Sequence, residues 1–189
     1  MKLHSKIIIG LERIGEVFKT LLWQKAKVYG ISPIQIQILL FITRSNPNLA
    51  NVSYLAKEFN VTKPTISDAV RILLKKGYVE KDYSPTDNRR YNLQVSISGK
   101  ELIEELLDYH LPISDEIQGI NEEELKVCFD TISKIIYRLN QKGIIQVQRI
   151  CFGCKYYDGD KKDRHFCNLL EKKLLSQEIR LDCLEYEEK

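Results

Sequence analysis

Between Asn51 and Gly77 the chain reads NVSYLAKEFNVTKPTISDAVRILLKKG, two short helical stripes with almost nothing between them. Val52, Leu55, Ala56 and Phe59 recur at helical spacing, and so do Ile66, Ala69, Val70, Leu73 and Leu74. Asn51 and Thr62 stand where N-caps belong, and Gly77 closes the second stripe. Only Asn60-Val61-Thr62 remains as a connection, so the two helices must cross steeply, as in a helix-turn-helix. No other stretch restricts the fold as much.

The flanks extend the pattern. Ile7, Leu11, Ile14, Phe18 and Leu21 predict an amphipathic helix over about 5–29. Ile8, Ile9, Val17, Leu22 and Trp23 widen its apolar surface beyond one stripe, which calls for a partner on the second face. Gly30 ends this helix, and Ser32-Pro33-Ile34-Gln35 reads as a capping box opening a second one that runs to about Arg44. Downstream, Tyr91, Leu93, Val95 and Ile97 alternate with Asn92, Gln94 and Ser96, the period of a half-buried strand. Tyr78 to Tyr83 is expected to pair with it across a loop at 84–90. Ser98 with Glu101 reads as the cap of a helix through Leu102, Ile103, Leu106 and Leu107. Asn121 with Glu124 opens another through Leu125, Cys128, Ile132, Ile135, Ile136 and Leu139, ending near Gly143.

Charge then bears on function. The 189 residues carry a net +3, but residues 44–100 hold ten Lys or Arg against five Asp or Glu, a local balance of +5. A basic middle segment points to a polyanionic partner; a merely solvated face is the plain alternative. With the apolar stripe of the second short helix turned inward, its other face presents Lys63, Thr65, Ser67, Asp68, Arg71 and Lys75. Short hydroxyls near a helix N-terminus suit phosphates or base edges, and an arginine suits guanine. Asn88, Arg89 and Arg90 add basic groups at the tip of the hairpin. A helix pair with a basic hairpin is a winged helix-turn-helix.

At the hairpin the resemblance becomes specific. Asp87-Asn88-Arg89-Arg90 followed by Val95-Ser96 and Gly99 resembles the wing signature of MarR-family transcriptional regulators, with Val95 and Ser96 standing for the family's Leu and Thr. The resemblance covers about residues 5–142 in element order. It implies a mainly α fold with a small β-wing, a reading head over about 32–98 and dimerisation through helices at 5–29 and 98–142. It also implies an obligate homodimer on a palindromic operator in double-stranded DNA, a DNA contact from Arg89, and wing orientation by Asp87. Many members respond to small aromatic or phenolic effectors. Two reading heads about 34 Å apart would match one turn of DNA. The extra apolar surface of the first helix and of Tyr109 to Ile120 argues for a homodimer independently.

The last part, 144–189, is set apart from the 1–143 winged-helix domain by Cys151, Cys154, Cys167 and Cys183, a C-x2-C knuckle followed by two single cysteines. Thiols of a cytoplasmic protein stay reduced, so four thiolates predict a metal centre. Zinc is placed ahead of an iron–sulfur cluster, with free or redox thiols as the third option. The single knuckle is the feature that speaks for a cluster. Gly153 is expected to permit a tight turn, and Leu169, Leu170, Leu174, Leu175 and Ile179 a short helix over the site. His165 is read as a bystander and Cys128 as a core residue. Such a centre is structural, or senses redox state or metal.

Other classes fare worse. There is no Ser-His-Asp set, glycine-rich phosphate loop or paired-acid motif, and His4, His110 and His165 are scattered, which argues against an enzyme. The longest uncharged apolar stretch, Ile31 to Thr43, is too short to span a bilayer, and Glu12, Arg13 and Glu16 interrupt any leader, so a cytoplasmic location without membrane contact is expected. The competing reading is a metal or redox protein whose winged helix docks a protein partner.

Overall fold

The structure, a computed structural model, describes residues 1–84, 87–162 and 164–189, with the side chains of 84–90 left out. By its contacts the chain forms two compact units: Met1–Ala56 with Val61–Glu116, and Lys57–Asn60 with Ile117–Lys189.

In the first unit, α1 (Leu3–Tyr29) stops at Gly30, whose left-handed backbone (φ 59°) no side chain favours. The capping box then forms: the Ser32 amide donates to Gln35 Oε1 at 2.8 Å and the Gln35 amide to Ser32 Oγ at 3.4 Å. It opens α2 (Pro33–Arg44), which is buried almost all round, as befits a helix apolar on every face. Ile36, Ile38 and Leu39 are fully enclosed there, each burial being worth about 1.5–3 kcal/mol. Around α2 pack α3 (Val52–Glu58), α4 (Lys63–Lys75) and a hairpin of β1 (Val79–Ser84) with β2 (Asp87–Val95). Leu55, Ile66, Leu73 and Leu93 complete this core. α5 (Ile97–Leu106), a 3-10 turn at Leu107–His110 and α6 (Leu111–Gln118) follow. Lys25 ties α1 to that turn, 2.6 Å from Asp108 Oδ1, and to the end of α5, 3.0 Å from the Glu105 carbonyl.

Three expectations need correction here. β2 begins at Asp87 rather than Tyr91, so part of the expected loop is strand. Ile97 is the first residue of α5 and lies exposed instead of continuing the strand. The cap of α5 is Ser96, not Ser98: its hydroxyl accepts the Gly99 amide at 3.0 Å, while Ser98 Oγ donates to the Gly77 carbonyl at 2.8 Å. Gly99 is required for space. A Cβ there would sit 2.0 Å from the Tyr78 carbonyl oxygen and 2.7 Å from Val95 Cγ1.

In the second unit α7 (Glu122–Gln141) is capped by Asn121, which accepts the Glu124 amide at 2.9 Å, and Gly143 (φ 70°) follows its end. Beyond it lies a three-stranded antiparallel sheet, β3 (Tyr157–Gly159), β4 (His165–Cys167) and β5 (Lys172–Leu174), with β4 in the middle. Its core is Ile150, Phe152, Cys154, Tyr157, Leu174 and Ile179, with Phe129 and Tyr137 of α7 against it. The expected helix over 169–179 is therefore a strand and a 3-10 turn. Its five apolar residues would spread around a helix instead of lining one face, and only Leu174 and Ile179 are buried. Cys128 is exposed on α7, contrary to its assignment to a core. No single helix among the described residues is long and apolar enough to cross a membrane; α1 and α2 pass that test only as a pair bent by 93°.

Candidate nucleic-acid interface and cysteine site

α4 starts cleanly because Thr62 Oγ1 accepts the Thr65 amide at 3.3 Å and Pro64 occupies the first turn, where no donor is needed. Ile66, Ala69, Val70 and Leu73 hold its inner face. Lys63, Thr65, Ser67, Asp68, Arg71 and Lys75 are all exposed on the opposite face, with the free N-terminal amides beside Lys63. Two of these groups already have partners. Thr65 Oγ1 lies 2.8 Å from Thr62 Oγ1, and Arg71 Nη2 lies 3.1 Å from Asp68 Oδ1. Asp68 thus holds the Arg71 guanidinium in place while leaving it in solvent, a weak surface pair that an anion can displace.

The hairpin pairs Val79 with Val95 through Tyr83 with Tyr91, and its register shifts between Tyr83 and Ser84. The Leu93 amide anchors its base, donating to the Ala50 carbonyl at 2.7 Å. The side chains of Asn88, Arg89 and Arg90, and of Asp87, lie outside those described. Sequence reasoning passed over the stem. Lys81 Nζ sits 4.4 Å from the Tyr91 ring centroid, and Tyr83 meets Tyr91 edge-on at 5.8 Å. Lys81 and Tyr83 share a face by strand period, so the signal was present in the parity of the sequence. A cleft of about 520 Å³ opens beside Trp23, Lys27, Ile31, Gln35, Asp68 and Ile72.

The cysteines come together. Cys151, Cys154, Cys167 and Cys183 all line one small cavity of about 30 Å³, walled by Leu169, Leu170, Leu174, Tyr156 and Tyr157. Cys151 and Cys154 flank a 3-10 turn at Cys151–Gly153, with the Cys154 amide bonded to the Cys151 carbonyl at 2.9 Å. Gly153 serves here by leaving room: a Cβ would lie 3.0 Å from the Tyr186 hydroxyl, and Gly153 is not among the glycines of positive φ. Cys167 comes from β4, and Cys183 follows Asp182, which forms a parallel bridge with Arg149. The Arg180 amide donates to Cys151 Sγ at 3.2 Å, and Arg180 Nη1 stands 3.7 Å from Cys183 Sγ. Burial pushes the Cys151 thiol up, opposed by that amide, and burial likewise raises Cys183 against its bonds from the Glu185 amide and Arg180. The donor set is that of a thiolate metal site, yet no three His, Cys, Asp or Glu side chains among the described residues close on the position of a single ion. His165 stands apart from the cavity lining. It is buried, with Nδ1 2.7 Å from the Tyr157 hydroxyl, whose own pKa burial pushes up to about 12.

Against known proteins, residues 29–90 match the family model described as MarR family. An HTH-type transcriptional repressor of Bacillus subtilis, YetL, is 26% identical over 112 residues, spanning 59% of this chain and 67% of the relative. The fold of MepR from S. aureus in its complex with DNA matches at TM-score 0.57 and 23% identity, over 74% of this chain and 100% of that one. CouR from Rhodococcus jostii RHA1, bound to p-coumaroyl-CoA, matches at TM-score 0.59 and 18% identity, over 71% and 94% of the two chains. These two are likenesses of fold. Over residues 29–90 the chain is thus similar to the MarR family, its fold is that of winged-helix proteins, and the curated relative is by its own description a transcriptional repressor.

Proposed function

We propose that this chain is a cytoplasmic repressor that binds a palindromic operator in double-stranded DNA as a homodimer and carries a metal centre on Cys151, Cys154, Cys167 and Cys183. The observation that carries the reading is α4: a capped helix with four buried apolar residues behind and Lys63, Ser67, Arg71 and Lys75 in solvent in front. Such a face sets lysines on phosphates and Arg71 on a base edge. Arg89 of the wing is assigned to DNA on the resemblance alone.

The homodimer draws support from α1, where Ile7, Ile8, Leu11, Ile14, Val17 and Trp23 are exposed, far more apolar surface than an isolated helix leaves uncovered. The metal centre is supported by four thiols around one cavity, within an apolar wall. A zinc ion would draw four sulfurs to about 2.3 Å from one point, and zinc stays ahead of an iron–sulfur cluster, the other centre that four thiolates can hold. The cleft beside Trp23 is of a size to admit a small aromatic effector.

The test is duplex binding by full-length variants, with a duplex selected by the wild-type chain from a randomised pool. Arg71→Ala is expected to lower affinity by roughly tenfold and relax base preference at one position, about 1–3 kcal/mol. Lys63→Ala should weaken all sequences alike and reduce the salt slope by about one. Unchanged duplex binding by both variants would leave the protein-docking reading in possession. Metal analysis with an absorption spectrum of anaerobically purified protein decides the centre: colourless stoichiometric zinc removes the cluster, and a broad visible band removes zinc.

A further inference from the structure

Arg149 is the one buried lysine or arginine among the described residues. Burying a cation costs several kcal/mol unless its donors are met, and here they are met from two directions. Nη1 and Nη2 fork onto Glu58, at 2.7 Å from Oε2 and 3.1 Å from Oε1. Nε donates to Asp182 Oδ1 at 2.5 Å. Burial pulls the guanidinium toward neutrality, but the bonds to Glu58 and Asp182 outweigh it and the group stays charged.

Both ends of this clamp carry meaning. Glu58 is the last residue of α3, and it leads into Asn60, whose left-handed backbone (φ 53°) reverses the chain ahead of α4. A second tie lands there, from Gln146 Nε2 to Asn60 Oδ1 at 3.0 Å. At the other end, Arg149 and Asp182 belong to the ladder that builds the cysteine site. The Cys183 amide donates to the Arg149 carbonyl at 3.1 Å, and the Cys151 amide to the Arg180 carbonyl at 3.1 Å. Only Ile150 separates Arg149 from Cys151, and Asp182 adjoins Cys183. One short pair of segments therefore fixes two thiols and the guanidinium together.

We propose that Arg149 is a positioning residue through which the cysteine centre holds the turn between α3 and α4, so that the state of the thiols sets the affinity for duplex DNA. This rests on the reading that the four cysteines hold a metal centre. With the centre filled, Cys151 and Cys183 are pinned and Asp182 stays on Nε. When the centre empties, the ladder is released and Arg149 loses Asp182. Glu58 and Asn60 are then held only through a segment no longer fixed at Asp182, and α4 begins three residues after Asn60.

The test compares the wild-type chain with Glu58→Gln and Arg149→Lys, each full length, metal-loaded and then stripped with a chelator, against the duplex selected by the wild type. The wild type is expected to lose at least tenfold in affinity on stripping, while both variants bind loaded and stripped alike. Melting curves check that each variant folds, and Arg149→Lys serves if Glu58→Gln does not. Equal binding by the loaded and stripped wild type overturns the proposal, and so does a tenfold loss that persists in either variant. If the purified wild type holds no metal, the reading of the centre fails, and the clamp is judged by amide exchange. Cys183→Ser should then speed exchange at the Asn60 and Val61 amides, which bond to the Lys57 and Ala56 carbonyls. Unchanged protection there overturns the clamp as well.

Discussion

Gly99→Ala separates tertiary packing from helix propensity by sign. Position 99 lies in the first turn of α5, where alanine outranks glycine by up to about 1 kcal/mol on propensity alone. The structure opposes this. The added Cβ would lie 2.0 Å from the Tyr78 carbonyl oxygen, well inside contact distance, and that oxygen also accepts the Ser96 amide at 3.1 Å. Backbone on both sides must therefore part by more than 1 Å, at the seam where α5 meets the base of the hairpin. Overpacking of this kind costs about 1–3 kcal/mol and occasionally more. A contact this close takes the upper end of that range, so against a propensity gain of about 1 kcal/mol a net loss near 2 kcal/mol remains, or about 4–8 °C in Tm for a chain of this size. Differential scanning calorimetry of the two proteins reads it directly. A Tm equal to or above that of the wild type would refute the packing account of the glycine.

Two further perturbations address neighbouring parts. Thr62→Ala removes the oxygen that accepts the Thr65 amide, so α4 should lose about 1 kcal/mol of stability, with weaker duplex binding and lower amide protection over its first turn; protection unchanged at Thr65 would contradict the cap. The hydrogen bond from Lys25 holds the Asp108 carboxyl below the usual range, so stability from this pair is present at neutral pH and is lost as pH falls through the folded-state value. Carbon-detected NMR titration should show the Asp108 pKa rise in Lys25→Met, and no rise would assign the shift to another cause.

Short-range chemistry made the reading head legible. The Ser32 box, the Asn51 and Thr62 caps and the turn at Gly77 are each encoded within four residues, and all form. The cap of α5 is ambiguous in sequence, since Ser96 stands three residues before Gly99 and Ser98 three before Glu101. The choice between them is tertiary: both hydroxyls donate to the Gly77 carbonyl, and only Ser96 also accepts the Gly99 amide. The tail sheet was unreadable for a different reason. Strands of three residues are too short to display a period of two. The Arg149–Glu58 clamp spans 91 residues of sequence, and no local pattern announces it. Cys128 was placed by helical periodicity, which cannot tell a face turned to a core from an apolar face left in solvent.

The central claim, a symmetric pair of winged helices on duplex DNA, is tested most directly by sedimentation equilibrium of the protein with a selected duplex at about 50 mM salt, where phosphate contacts bind strongly. Two 22.1 kDa chains are expected on each duplex, and two chains together in its absence. A 22.1 kDa species that leaves the duplex unbound would contradict it.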